Sequence, residues 1–217
     1  MRRQKADAAK ATSRDDMLRN CGIVGMVGAV AVVVANLAGI IVVDAHNPIS
    51  ETISALAVGR YAWIQDVGLY GFASALVACG IGFFRWRLGH LRWLAAGVLL
   101  MLLGIDVVVI AFFNGYAGTT NQGADIHTYA TYLLAGVFLL VLLSSASGLT
   151  RINFRWGVFS LALGAAWLVL APVFLYVPTA WDGAYERVLG LMMVAWVGSV
   201  SWLLLQRYRA GPSFSPG

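Results

Sequence analysis

The chain has 217 residues, of which 60% are hydrophobic and only 12% charged, with a mean hydropathy of +0.78. Soluble domains carry about 25% charged residues, so a soluble globule is excluded, and two cysteines exclude a secreted disulfide scaffold. What remains is a polytopic membrane protein, in which a net charge of +5 reflects topogenic residues rather than a nucleic-acid partner.

Residues 1–18 read as a basic, Ala-rich cytoplasmic tail, 19–209 as the membrane domain, and 210–217 as a disordered cytoplasmic tail. A helical span needs about 20 mostly apolar residues. Six segments qualify, at about 21–43, 64–84, 93–113, 127–148, 157–177 and 188–206. The apolar runs are continuous, not alternating as in a barrel strand. The expected fold is therefore all-α, a six-transmembrane-helix bundle. The first apolar run continues to Val43, longer than a signal-peptide core, and reads as a retained span.

Thirteen of the fifteen basic residues fall in the N-terminal tail, the second–third and fourth–fifth loops, and the C-terminal tail; only Arg60 and Arg187 lie on the other face. The positive-inside rule then puts both termini in the cytoplasm of a bacterial inner membrane. Trp86, Trp93, Trp156, Trp202 and Tyr208 fall near the inner edge, and Tyr61, Trp63, Tyr176, Trp181 and Tyr185 near the outer. They read as two interfacial belts. His90, in the Arg-rich second–third loop, reads as a solvated interface residue.

The acids distribute oppositely. Asp44, Glu51, Asp66, Asp106, Asp125, Asp182 and Glu186 lie in outer loops or outer halves of helices, together with His46 and His127. After the first span, Pro48 keeps Asn47 out of helix. Ser50 then reads as an N-cap, with Glu51 at the positive end of a short extracytoplasmic helix over about 50–57. Ser50 and Ser54 share one face of that helix. Asp106 sits about two turns inside the third span, where an ionisable group is a functional hypothesis by default. The fourth span opens with Asp125 near its N-cap, followed by His127, Tyr129 and Tyr132. The sixth opens Glu186-Arg187, and Arg187 opposes the helix dipole, so it needs a carboxylate or a headgroup phosphate. Plain structural alternatives exist: a capped surface helix for 50–57, an interhelical hydrogen bond for Asp106, a snorkelling side chain for Arg187.

Three elements together resemble a bacterial membrane family called domain of unknown function 998. They are Asn47-Pro48-Ile49-Ser50-Glu51-Thr52-Ile53-Ser54-Ala55-Leu56, His127 opening the fourth span, and Glu186-Arg187 opening the sixth. The resemblance covers about residues 20–207 and implies six helices and an outward-facing polar cluster, without an activity. Phe113-Asn114-Gly115-Tyr116 departs from the turn common in that family after the third helix. Ser54-Ala55 ahead of Arg60-Tyr61-x-Trp63 is similar to an element of eukaryotic six-helix proteins tied to autophagy and lipid-anchor remodelling, a pointer toward lipid.

The reading placed first is a non-enzymatic membrane protein with an extracytoplasmic polar pocket for a lipid headgroup or small solute. Its candidate residues are Ser50, Glu51, Ser54, Asp106, Asp125, His127, Glu186 and Arg187, and Arg187 favours an anionic group. The first alternative is an intramembrane lipid hydrolase with Ser50 or Ser54 as nucleophile, His127 as base and Asp125 or Asp106 orienting it. A metal variant would use His46 and His127. The second alternative is a structural accessory subunit of a membrane complex. No cofactor or nucleic acid is expected; the partners expected are membrane lipids, with a membrane protein or a second copy of the chain as further possibilities.

Overall fold

The computed structural model describes residues 2–88, 91–116 and 119–210, with side chains described between Asp16 and Arg209. Six α-helices make up the bundle: α1 Arg2–Val42, α2 Ala62–Trp86, α3 Leu91–Phe113, α4 Gln122–Ile152, α5 Phe154–Val173 and α6 Asp182–Ala210. Each contains a stretch long and apolar enough to cross a membrane, and no strand occurs among the described residues. The basic N-terminal segment is a continuation of α1, which starts at Arg2. His90 and residues 211–217, the bulk of the C-terminal tail, lie outside the described residues.

Each helix packs on the next in sequence, and α6 returns onto α1, closing a ring in which α5 and α6 are the loosest neighbours. Lipid offers no hydrophobic reward for helix association, so contact rests on close packing and hydrogen bonds. Small residues supply the closeness. A Cβ on Gly28 would land on the Gly71 carbonyl and 2.8 Å from Ala75 Cβ, and one on Gly80 would stand 2.7 Å from the Gly97 carbonyl. Gly25 of α1 likewise meets Ser201 of α6, and Gly71 of α2 meets Ala31 of α1.

One half of the interior is aromatic. Phe83 stacks on Trp93 with centroids 3.7 Å apart, Trp196 sits edge-on to Phe83 and Phe138, and Phe138 meets Trp167 at 4.8 Å. Every one of these indole N–H groups donates: Trp93 to the Phe83 carbonyl, Trp167 to the Ala135 carbonyl, Trp196 to Ser160 Oγ. That satisfies the polar edge of a buried indole. Trp93 and Trp86, assigned to an interfacial belt from their positions, are therefore core residues, 0% and 8% exposed. Each lies at the end of its span, but the ring encloses that end. The opposite end carries the 43–61 connection, the 3-10 turn Asn114–Tyr116 and the two turns Phe174–Tyr176 and Thr179–Trp181; we call it the loop end.

The Gly28–Gly71 crossing has no room for a side chain, whereas nothing lies within 4 Å of a Cβ at Gly136. Gly28→Val is expected to lower the detergent thermal midpoint by an amount typical of overpacking, about 1–3 kcal/mol. Gly136→Val should leave it within error.

Candidate functional site

The connection between α1 and α2 is folded by its own polar groups. Ala45 takes the left-handed region at φ 60°, which costs an L-residue roughly 1–2 kcal/mol, and the turn returns His46 to the bundle, its side chain 2% exposed. Asn47 Oδ1 accepts from Ile49 N–H at 3.0 Å, and Asn47 N–H donates to Glu51 Oε2 at 2.9 Å. Glu51 N–H closes the turn on the Asn47 carbonyl at 2.8 Å. These contacts replace the expected α-helix over 50–57. The only helical turn is 3-10, Ser54–Ala57, capped by no side chain. Ser50 is not the N-cap, because the Asn47 amide and the Glu51 carboxylate take up the N–H groups of the turn first.

The first turn of α6 fastens this loop. Arg187 Nη1 donates to the carbonyls of Pro48 (3.0 Å), Glu51 (2.8 Å) and Gly183 (2.9 Å). Its Nε donates to Asn36 Oδ1 at 3.2 Å, and its Nη2 to His46 Nε2 at 3.1 Å. Arg187 meets Glu51 through the main chain; the Glu51 carboxylate instead accepts from His46 Nδ1 at 2.9 Å. The two contacts set the tautomer of His46, with the proton on Nδ1 and the lone pair of Nε2 toward Arg187. Glu186 Oε2 accepts from Ile53 N–H at 2.6 Å, and Ala184 N–H donates to the Ile49 carbonyl at 2.9 Å. Gly183 leaves space for the loop: a Cβ there would fall on the Glu51 carbonyl and 2.8 Å from the Pro48 oxygen. Carbonyl dipoles thus offset the repulsion between Arg187 and the positive helix end.

A polar layer lies beneath this latch. The glycine crossings set the register: Gly68 meets Ala35 and Val32 across α1–α2, and Gly104 meets Val77 and the Ala73 carbonyl across α2–α3. Continued along antiparallel helices, these registers bring Asn36 of α1 level with Gln65 of α2, and Asp66 level with the end of α3. There Asp66 lies against the Asn114 side chain. His127 of α4 faces the Ile110 carbonyl of α3, one turn from Asp106 on the same helix face. Gln65 is 0% exposed and neither of its amide atoms has a partner. Asp66 Oδ1, Asp106 Oδ2, Asn114 Nδ2, His127 Nδ1 and Asn36 Nδ2 are likewise buried and unpaired. Buried polar atoms without partners are rare and costly, and most of those among the described residues lie in the loop-end half, with Asp106 the deepest; Arg19 Nε and Ser147 Oγ lie toward the opposite end.

The residues singled out in the sequence therefore divide. Glu51, Glu186 and Arg187 come together in the latch, with His46. Asp106 and His127 belong to the layer below. Ser54 Oγ pairs with Thr52 Oγ1 at 2.9 Å, and the Ser50 hydroxyl makes no hydrogen bond among the described residues. Asp125 is exposed, and it does not cap α4: Asn121 does, accepting from Gly123 N–H. Tyr129 and Tyr132 are exposed, two and five residues beyond His127 and so on other faces of α4. Thr128 and Thr131 bond to carbonyls of their own helix. His46 and His127 do not approach a common metal position; no group of three His, Cys, Asp or Glu able to hold an ion occurs among the described residues. Asn36, Gln65 and Asn114 were not anticipated. The available signal was an amide inside or at the end of an apolar run, which, like an ionisable group, needs a partner in a membrane.

Among known protein families, a model described as a protein of unknown function (DUF998) matches residues 26–203. No curated protein and no solved structure matches the chain.

Arg187→Lys keeps the charge but not the planar fork that reaches five acceptors; it should cost about 1.5–3 kcal/mol of detergent stability, the range for hydrogen bonds to charged groups. Glu51→Ala leaves the carbonyl that Arg187 uses, so its coupling to Arg187→Ala should pass through His46. A double-mutant cycle should be non-additive in the parent and additive in a His46→Ala background. Burial lowers the pKa of His46, while Glu51 pulls it up and Arg187 pushes it down. The unfolded imidazole titrates near its ordinary value of about 6.5. Below that, the unfolded chain takes up a proton that the folded chain resists, so the contribution of His46 is present above that value and is lost as pH falls through the range beneath it. Thermal midpoints should fall on acidification across that window in the parent, and less in His46→Phe.

Proposed function

The chain belongs to the DUF998 family, whose function is unknown, and from the site we propose that the polar layer beneath the latched loop binds the polar part of a membrane lipid or a small solute. The observation that carries this reading is Gln65, fully enclosed with both amide atoms unpaired, among five further unpaired buried atoms on α1 to α4 and the turn after α3. Such atoms ask for an occupant with hydrogen-bonding groups. The aromatic half of the bundle would close the site from below, and the latched loop from above. The proposal places the loop end on the extracytoplasmic side of a bacterial inner membrane and both termini in the cytoplasm, on the split of basic residues. No specific observation favours the hydrolase: Ser54 Oγ pairs with Thr52, and neither Ser50 nor Ser54 is hydrogen-bonded to His127 among the described residues.

Native mass spectrometry of the detergent-purified chain should show a bound small molecule or lipid that is lost in Gln65→Leu. The same substitution removes an unpaired amide, so the ligand-free protein should gain about 1–3 kcal/mol. Retention of the bound mass in Gln65→Leu would remove the layer as the binding site. A topology reporter fused after Arg209 should be active only in a cytoplasmic assay.

A further inference from the structure

The connection from α1 to α2 has the anatomy of a lid. It turns on two residues with positive φ, Ala45 at 60° and Gly59 at 82°, and a Cβ on Gly59 would meet nothing within 4 Å. A few such positions are enough to absorb a hinge motion. Between them, the 3-10 turn Ser54–Ala57 places Leu56 inward, 1% exposed and 3.1 Å from where a Cβ on Gly39 would stand. The same turn packs against the Asn114–Tyr116 turn, which carries one of the unpaired amides below the loop. Apolar contact thus holds the underside. Among the described residues, every hydrogen bond from positions 46–57 to the rest of the bundle ends on Ala184, Glu186 or Arg187. The start of α6 therefore fastens the whole segment.

We propose that the segment between Ala45 and Gly59 is a lid over the polar layer, and that protonation of His46 unfastens it and lets the occupant of the layer exchange. What the lid covers rests on the binding reading above; its release by acid does not. His46 Nε2 accepts from Arg187 Nη2 at 3.1 Å, and Nδ1 donates to Glu51 Oε2 at 2.9 Å. A proton on Nε2 turns that acceptor into a donor facing a donor and sets cation against cation, with the side chain only 2% exposed. The Glu51 carboxylate is already engaged on the Nδ1 side. Arg187 then loses one of its three acceptors on the loop and keeps the carbonyls of Pro48 and Glu51. The charged groups at the ring are Glu51 from the loop and Arg187 from α6. Asn36 of α1 reaches the same guanidinium but is neutral, Asp44 is exposed, and Asp182 and Glu186 lie at the start of α6. Among the described residues, no charged side chain of α2 touches the ring. Burial lowers the pKa of the imidazole, Glu51 raises it and Arg187 lowers it. The lid is accordingly fastened at neutral pH and released below the ordinary imidazole value of about 6.5.

Hydrogen exchange read by mass spectrometry on the full chain in detergent tests the release, because it reports local opening apart from global unfolding. Rates are compared at about pH 7.5 and about pH 5.5, on either side of the ordinary imidazole value, after correction for intrinsic exchange. The amides of Ile49, Glu51 and Ile53 should lose protection by roughly tenfold at the lower pH, the equivalent of one hydrogen bond to a charged group, while those of α3 and α4 keep theirs. His46→Gln, which cannot take up the proton, should hold the loop protected at both. Glu51→Gln removes the charge that raises the imidazole and should move the release to lower pH; it also keeps the proposal testable should the His46 variant fail to fold. Native mass spectrometry of the same samples should show any co-purifying mass leaving faster at the lower pH in the parent, and not in His46→Gln. Loop protection that is indifferent to pH overturns the lid, as does an equal loss across α3 and α4. A pH response that persists in His46→Gln and disappears in Glu186→Gln overturns it as well, by moving the switch to the other carboxylate of the latch. A bound mass whose release ignores pH overturns the lid and leaves the binding reading standing. Acid-released loop amides in a chain with no co-purifying mass support the release and overturn the binding reading.

Discussion

Arg187 is a single cation placed at the positive end of its own helix, where elementary electrostatics disfavours it, and the loop end is built around the resolution of that conflict. Its five-contact fork gathers carbonyls from the first loop and from its own first turn, together with Asn36 and His46. The Pro48 and Glu51 carbonyls accept no main-chain hydrogen bond among the described residues. The guanidinium therefore gives the loop a defined seat on α6, and Gly183 permits the approach by having no side chain. Glu186 adds a carboxylate for Ile53 N–H, so adjacent residues of one helical turn satisfy opposite halves of the loop backbone.

His46 extends this arrangement. It stands between Arg187 and Glu51, accepting from one and donating to the other. Its neutral form is the one that fits both neighbours, and a second ring proton would face the guanidinium. The latch is thereby coupled to protonation at the one described group of the loop whose ordinary titration range is near neutral pH. The left-handed Ala45 is the local strain that sets the ring in place, and the network around it over-determines that backbone.

Below the latch, the bundle splits into two kinds of interior. Toward the opposite end, aromatic rings from α2 to α6 fill the ring, and the indoles of Trp93, Trp167 and Trp196 each have an acceptor. Toward the loop end, amides, acids and an imidazole are buried without partners. The contrast matters because hydrocarbon supplies no hydrogen bonds and leaves an unpaired group at full cost. Seven buried polar atoms lack a partner in the loop-end half against two, Arg19 Nε and Ser147 Oγ, among the described residues of the other, and an excess at one end is the distribution expected of a site that is completed by something else.

The six spans, the all-helical class and the family resemblance were legible in the sequence, because continuous apolar runs and short motifs are local properties, the former set by the bilayer thickness. Glu51, Glu186 and Arg187 stood out as well, since a charge at a helix end needs a partner wherever it lies. Which partner it found was decided only by the tertiary structure. The sequence pairs Arg187 with a carboxylate by charge, whereas the fold brings three carbonyls within reach and gives the Glu51 carboxylate to His46. Ser50 lost its capping role, and Asp125 with its tyrosines fell on outer faces of α4, because the turn chemistry of Asn47 and Asn121 acts before the helix pattern does. Asn36, Gln65 and Asn114 lie far apart in the chain and carry no charge, so the sequence marks each only as an amide in or beside an apolar run and does not mark them as one group. Only the ring closure, with α6 back on α1 and the glycine crossings setting each register, brings them to one level, and that level exists only once all the helices have packed.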